Sequence, residues 1–368
     1  MKKTLLGFVC LLPIGVACSS PAQPAVTAHP AGGQDGQARP TTTASEPTEI
    51  ALPAVTYPAA TGISPALRGR VTYRLGERLY LLDAEENAMP FDASAVLDTF
   101  DPGTDEWINI SPDGNWLVLS AERGDERCKG WACLLVAPAD FSGLEVVLID
   151  GEPLHPEYVS AVASGGDAIV FVDSGGPHSR DLWLTQRQAG AWSEAVLLTA
   201  DSPYDYNVQP AVAGDSSRVV FACGPTPYAL EGSAICEVNV DGSGLRVLLT
   251  PDRGPGGGPT NALRQPDYAP DGSIVFEADW GGERIWRLLP ESGQAFPVDR
   301  QANNDNSPCV LPNGSIVSLW LDRPGSHGIH EIKVARADGS QWEMLLTGQD
   351  VLDIGLGCGS ATTANTAP

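Results

Sequence analysis

Gln265-Pro266-Asp267-Tyr268-Ala269-Pro270-Asp271-Gly272 runs into Ser273-Ile274-Val275-Phe276, a Gly281-Gly282 turn, Arg284-Ile285-Trp286-Arg287-Leu288 and Glu291-Ser292-Gly293. Pro270 fixes φ and Gly272 tolerates positive φ, so Pro-Asp-Gly is a tight reversal. The short β-branched and aromatic runs around it suit strands rather than helices. The stretch therefore reads as one antiparallel sheet unit.

The unit recurs with a period of roughly 40–50 residues, the signature of a blade-like repeat. Ser111-Pro112-Asp113-Gly114 precedes Trp116–Leu119, and Val162-Ala163-Ser164-Gly165-Gly166 precedes Ala168–Phe171. Gln209-Pro210 and Gly214-Asp215 precede Arg218–Phe221, and Ser307-Pro308 with Pro312-Asn313-Gly314 precedes Ser315–Val317. The copy at 162–171 lacks Pro-Asp-Gly and is placed mainly by its strand. Further apolar runs follow the copies, such as Leu182-Trp183-Leu184, Ile235–Val238 and Ile332–Val334, and then segments ending in Leu-Thr at 199, 250 and 347. Four strands per repeat result.

Gln-Pro-x-Tyr-x-Pro-Asp-Gly, an apolar strand, a Gly turn, Ile-Trp and Asp-Gly-Ser-Gly together resemble the WD40-like repeat of the TolB family of β-propellers. The resemblance extends over most of residues 68–358, with five copies in register. It implies a propeller. In the family's best-known member it also implies a periplasmic partner of a peptidoglycan-associated lipoprotein. That member carries an α/β domain before its propeller, for which this sequence offers no stretch, so a role in the same transport machinery does not carry over.

Met1-Lys2-Lys3 and the apolar run Leu5–Val16 fit a secretory signal, the run being too short to span a bilayer. Ile14-Gly15-Val16-Ala17-Cys18 resembles the bacterial lipobox, with Cys18 as the lipidated residue after cleavage of 1–17. Residues 18–61 are Pro-, Ala- and Thr-rich and too poor in large apolar side chains to fold, which makes them a semi-extended tether. Residues 359–368 are expected to form a disordered tail. The protein is thus expected to be exported and lipid-anchored at the bacterial cell envelope, on the periplasmic face of the outer membrane or at the cell surface.

Strand counting closes the ring. Residues 70–74, 78–83 and about 91–97 supply three strands of a first blade without its innermost member, and 350–356 is an orphan strand after the fifth full repeat. Joining them gives an all-β, six-bladed propeller over residues 62–358, its four-stranded antiparallel blades leaving no open sheet edge at the ring. The cysteines agree. With Cys10 in the signal and Cys18 in the anchor, six remain, an even number for an exported domain. Cys128 and Cys133 bracket a tight loop, Cys223 and Cys236 flank a hairpin, and Cys309 lies on the strand beside which Cys358 should sit.

Lys and Arg total 22 against 46 Asp and Glu, for a net charge of −24. Nucleic acid is excluded as a partner, because no basic stripe exists to neutralise phosphates. An acidic surface favours cationic partners. No Gly-x-Ser-x-Gly elbow, His-Glu-x-x-His or EF-hand loop occurs, and the Gly-rich 254–259 segment lacks the Lys-Ser/Thr of a phosphate loop. Of the histidines, His155, His178, His327 and His330 fall in the propeller. His327 and His330 could hold a metal in a polysaccharide lyase, but they belong to a loop in the outer half of a blade.

The positions just before each innermost strand face the mouth of a propeller's channel. The candidates there are Asp105, Glu106, Glu157, Asn207, Arg264, Asp305, Asn306 and Asp350, with Tyr158, Asp205, Asn261 and Gln349 beside them. Side chains of these types also cap turns. As ligands they would form a ring for a cation or for a basic or N-terminal peptide. The expectation is a monomeric, non-catalytic binding or scaffold module that needs no cofactor or metal and has another envelope protein as partner. The alternative is a carbohydrate-active enzyme using the channel as its cleft.

Overall fold

The computed structural model describes residues 69–83, 91–282, 284–298, 304–321 and 329–360. The signal, Cys18 and the tether lie outside them, as does His327. Six antiparallel sheets make up the ring, five of them four-stranded and that of blade 3 with a fifth short strand. The innermost strands are Val351–Gly359 in blade 1, Asp105–Ile110 in blade 2 and Ala161–Val162 in blade 3. Blades 4, 5 and 6 begin with Tyr206–Val212, Leu263–Tyr268 and Asp305–Val310. Blade 3 is the irregular one, with two short outer strands, Ala191–Trp192 and Val196–Leu197, both pairing with Asp181–Gln188.

Blade 1 joins the two ends of the domain. Val351–Gly359 pairs antiparallel with Arg70–Leu75, Cys358 lying opposite Val71. Two residues of the expected tail are placed against the domain: Gly359 is still in the strand, and the Ser360 N–H donates to the Pro112 carbonyl at 3.1 Å. Gly114 makes this contact possible. Its φ is +73°, and a Cβ there would lie 1.8 Å from the Ser360 carbonyl oxygen.

The expected third strand over 91–97 is shorter. Only Phe91–Asp92 pairs with the sheet, and Ala93–Phe100 is a helix. The Asp92 carboxylate caps it by accepting from the Ala95 N–H at 2.9 Å, while Ala93 and Leu97, four apart, are buried on one face. Arg123 enters beneath it with no exposed surface. Its guanidinium reaches Asp105 at 2.7 Å, Asp98 at 3.2 Å and the carbonyls of Asp101 and Gly103 at 2.9 Å.

The core is six layers between blades rather than one centre. Val71, Tyr73, Leu311 and Leu319 fill the seam between blades 6 and 1, while Phe221, Val172 and Leu182 fill that between 3 and 4. Phe276, Trp280 and Trp286 pack against Val220 and Ile235 across the seam of 4 and 5. The seam of blades 5 and 6 holds the smallest apolar cluster among the described residues, Ala269, Val275, Ile285, Val310 and Ile316. Buried cations accompany it, with Lys333 2.8 Å from the buried Asp305 and Arg287 3.3 Å from Asp271 of the exposed turn.

All three expected disulfides form: Cys128–Cys133, Cys223–Cys236 and Cys309–Cys358. Such bonds persist in oxidising compartments outside the cytosol. Cys309–Cys358 links residues 49 apart and ties blade 6 to the closing strand. Replacing both by Ser should lower stability by about 4 kcal/mol in the chain-entropy account. Hydrogen exchange should show the loss first at Val351–Gly359 and Arg70–Leu75; protection unchanged there would contradict the role of this bond in closure.

Candidate functional site: the central channel

Five innermost strands carry a register shift. In blades 4, 5 and 6 it falls at Gln209-Pro210, Gln265-Pro266 and Ser307-Pro308. The residue before each proline is left-handed, with φ of 56° at Gln209 and 48° at Gln265 and Ser307. That conformation costs on the order of 1–2 kcal/mol for a residue with a Cβ. Neighbouring blades offset it: the Gln265 N–H donates to the Gln209 side-chain oxygen at 2.9 Å, and the Ser307 N–H to Glu277 at 3.3 Å. The bulges turn these side chains toward the axis.

Around the axis lies a cavity of about 810 Å³. Its entrance is formed where the innermost strands begin, together with Arg74 and Glu77 of blade 1 and Leu230 of blade 4; Ile110, Val162 and Val212 lie at the other end. Acidic lining residues are Glu77, Asp105, Glu106, Glu157, Asp267 and Glu277, and the basic ones are Arg74 and Arg264. A cavity of this size suits a short peptide or a small molecule.

Strand alternation sorts the expected site residues. Asp105, Asn207 and Asp305 occupy one register position, opposite Ala121, Cys223 and Trp320. Their side chains point into the blades. Asp105 pairs with Arg123, Asp305 with Lys333, and Asn207 binds Ser202 at 2.7 Å and the Arg180 carbonyl at 3.1 Å. The next position holds Glu106, Arg264 and Asn306, all three in the channel lining. Although Asp105 borders the cavity, its carboxylate is turned away from it. Asp350 lies off the channel, accepting from the His330 N–H at 2.9 Å with the His330 ring 3.5 Å away. Asn207, Asp305 and Asp350 are thus removed from the expected ring.

Glu157 and Tyr158 do line the mouth; Glu157 is paired with Arg180 and accepts from the Ser174 hydroxyl at 2.9 Å. Glu106 accepts from Ser120 at 2.8 Å. Arg264 is held by Glu277 at 2.6 Å. Asn306 is 9% exposed, and its side-chain oxygen has no hydrogen-bond partner. Asp205 and Asn261 serve as loop caps, binding Ser179 and Asp279. Among the described residues no group of three His, Cys, Asp or Glu side chains is arranged to hold a metal.

Two channel residues escaped the sequence reading. Asn109 and Asp267 share one register position, opposite Val118 and Val275, and each reaches the next blade: Asn109 donates to the Ser160 carbonyl at 3.1 Å, and the Val310 N–H donates to Asp267 at 2.8 Å. Cys309 has the same position, and its reach to the next blade is the closing disulfide. Beside Asn109, a Cβ on Gly357 would lie 2.2 Å from its side-chain oxygen. Asp267 also accepts from the Tyr268 N–H at 2.8 Å, yet burial outweighs both donors and pushes its carboxyl up to about 7.

No family model and no curated protein matches the sequence. Solved propellers do match in shape. A TolB from Agrobacterium tumefaciens gives a TM-score of 0.51 at 16% identity, over 79% of this chain and 94% of that one. The likeness is one of fold. A chain of the nidogen/laminin complex gives 0.52 at 11%, over 79% and 98%. A puromycin-hydrolysing peptidase from Mycobacterium tuberculosis gives 0.50 at 12%, covering 76% of this chain but only 44% of the peptidase. Enzymes and non-enzymes share this architecture, so function has to be argued from the channel.

The raised Asp267 carboxyl makes a pH prediction. The folded protein holds this proton where the unfolded chain, with an ordinary carboxyl near 4, has lost it. Stability from this group is therefore present at low pH and declines as pH rises from about 4 through about 7. The Asp residues with lowered values, such as Asp125 at about 2, act in the opposite sense and only below about pH 4. Thermal melts between pH 5 and 8 should fall with pH, and Asp267→Asn should flatten that slope. A wild-type curve rising across this window would contradict the assignment.

Proposed function

We propose that this protein is a non-catalytic binding module of the bacterial cell envelope, held to the membrane by lipid on Cys18 and the 18–61 tether, whose channel receives a basic or N-terminal segment of a partner protein. The observation that carries the reading is the channel entrance. Glu77, Glu106 and Glu157 border it, Glu157 being paired with Arg180; acidic side chains outnumber Arg74 and Arg264 in the lining, and the prolines, Val159, Ala161 and Leu230 give apolar walls for the rest of a chain. Low-dielectric walls strengthen the attraction of carboxylates for an entering ammonium or guanidinium group. A similar propeller in the nidogen/laminin complex belongs to a protein–protein assembly, which is compatible with the reading.

Calorimetry with an Arg/Lys-rich peptide, its Asp/Glu-rich counterpart and the mature protein tests the proposal. The basic peptide should bind in a salt-sensitive way, and Glu106→Gln with Glu157→Gln should weaken it by about tenfold or more, equivalent to about 1.4 kcal/mol. Asn207→Ala, a change inside blade 4, should lower stability instead. Equal binding of both peptides, or unchanged affinity in a folded double variant, would remove the channel reading. The anchor has its own test: Cys18→Ala should move the protein from the membrane fraction to the soluble one.

A further inference from the structure

Trp131 is 71% exposed, the most open large apolar side chain among the described residues. Its loop is nevertheless rigidly built. The Cys128–Cys133 disulfide closes it, the Trp131 N–H donates to the Cys128 carbonyl at 3.2 Å, and the Gly130 N–H donates to Glu122 at 2.8 Å. The indole meets the His155 ring edge-on, with centroids 6.3 Å apart, and His155 is itself held by its Nδ1, 3.0 Å from the Ala132 carbonyl. With most of its surface in water, this tryptophan contributes little burial to folding. Its loop backbone is preorganised for contact, so little loop freedom remains to be lost on binding.

Its surroundings specify the partner. Glu122, Asp125, Glu126 and Glu152 lie around the loop; Arg127 pairs with Asp125 and Glu152, and Lys129 with Glu126, so four carboxylates share two cations, and the Glu126 and Glu152 side chains are 86% and 79% exposed. A guanidinium or ammonium group is attracted both by the indole face and by these carboxylates, and its aliphatic stem covers the ring. A neutral sugar would leave the charges unused, and an anionic lipid surface is repelled by a chain of net charge −24.

We propose that Trp131 is the anchor of a protein-docking surface on the rim of blade 2, taking an Arg or Lys side chain of a basic protein partner. This surface is separate from the channel. The connection Glu152–Tyr158 carries His155 beside Trp131 and Glu157 and Tyr158 at the channel mouth, so one extended partner can occupy both.

Indole N–H resonances of the ¹⁵N-labelled mature protein distinguish the two sites, because Trp107 lines the channel and Trp131 the corner. Titration with an Arg/Lys-rich peptide should shift the Trp131 signal saturably and less at high salt. Trp131→Ala should weaken the corner's share of binding at least tenfold, and Glu122→Gln with Glu126→Gln should reduce the shift. Movement of Trp107 alone would overturn the corner and leave the channel reading standing. Movement of Trp131 alone would support the corner and count against the channel. An equal Trp131 shift with a neutral oligosaccharide or with phosphatidylcholine vesicles would overturn the basic-protein assignment.

Discussion

Ring closure is the constraint on which the rest of the structure depends. A propeller's apolar layers lie between blades, so each blade is stable only if both neighbours are present. Here the two ends of the domain meet within one sheet, with Val351–Gly359 as the innermost strand beside Arg70–Leu75. Cys309–Cys358 and the seating of Ser360 on the Gly114 turn hold that strand against blades 6 and 2. Without it, the seam containing Val71, Tyr73 and Leu319 would open to water and the channel would lose one wall.

The channel is also a structural belt. Asn109, Asp267 and Cys309 occupy equivalent positions and each grips the next blade, by an amide, a carboxylate and a covalent bond respectively. The carboxylate version falls at the seam with the smallest apolar layer, between blades 5 and 6, where Asp305, Lys333 and Arg287 are also buried. Polar links substitute there for missing hydrophobic area. They keep the seam specific, because each buried charge tolerates only the geometry that pairs it.

Function is bounded by the same architecture. The bulges that keep the channel open place Glu106, Arg264 and Asn306 on its wall, and the blades spend Asp105, Asn207 and Asp305 on internal bonds. What is left facing the entrance is acidic, lined by proline and aliphatic side chains, and accompanied on the rim by one rigid, exposed indole.

The sequence by itself determined the repeat, the number of blades, the composite first blade and the cysteine pairing, because each rests on local turn chemistry and spacing that neighbouring strands must obey. Its error at 91–97 was also local: Asp92 is a helix cap, and Ala93 with Leu97 is a helical spacing that a short apolar run conceals. Only the tertiary structure decided which side of each innermost strand meets the channel. Adjacent residues such as Asp105 and Glu106, or Asp305 and Asn306, point to opposite faces, and the one-residue bulges that set the phase are marked by a proline in blades 4, 5 and 6 but by none in blade 2. The roles of Asp267 and Trp131 were decided there too, since burial of one and exposure of the other depend on the neighbouring blade and loop that each one meets.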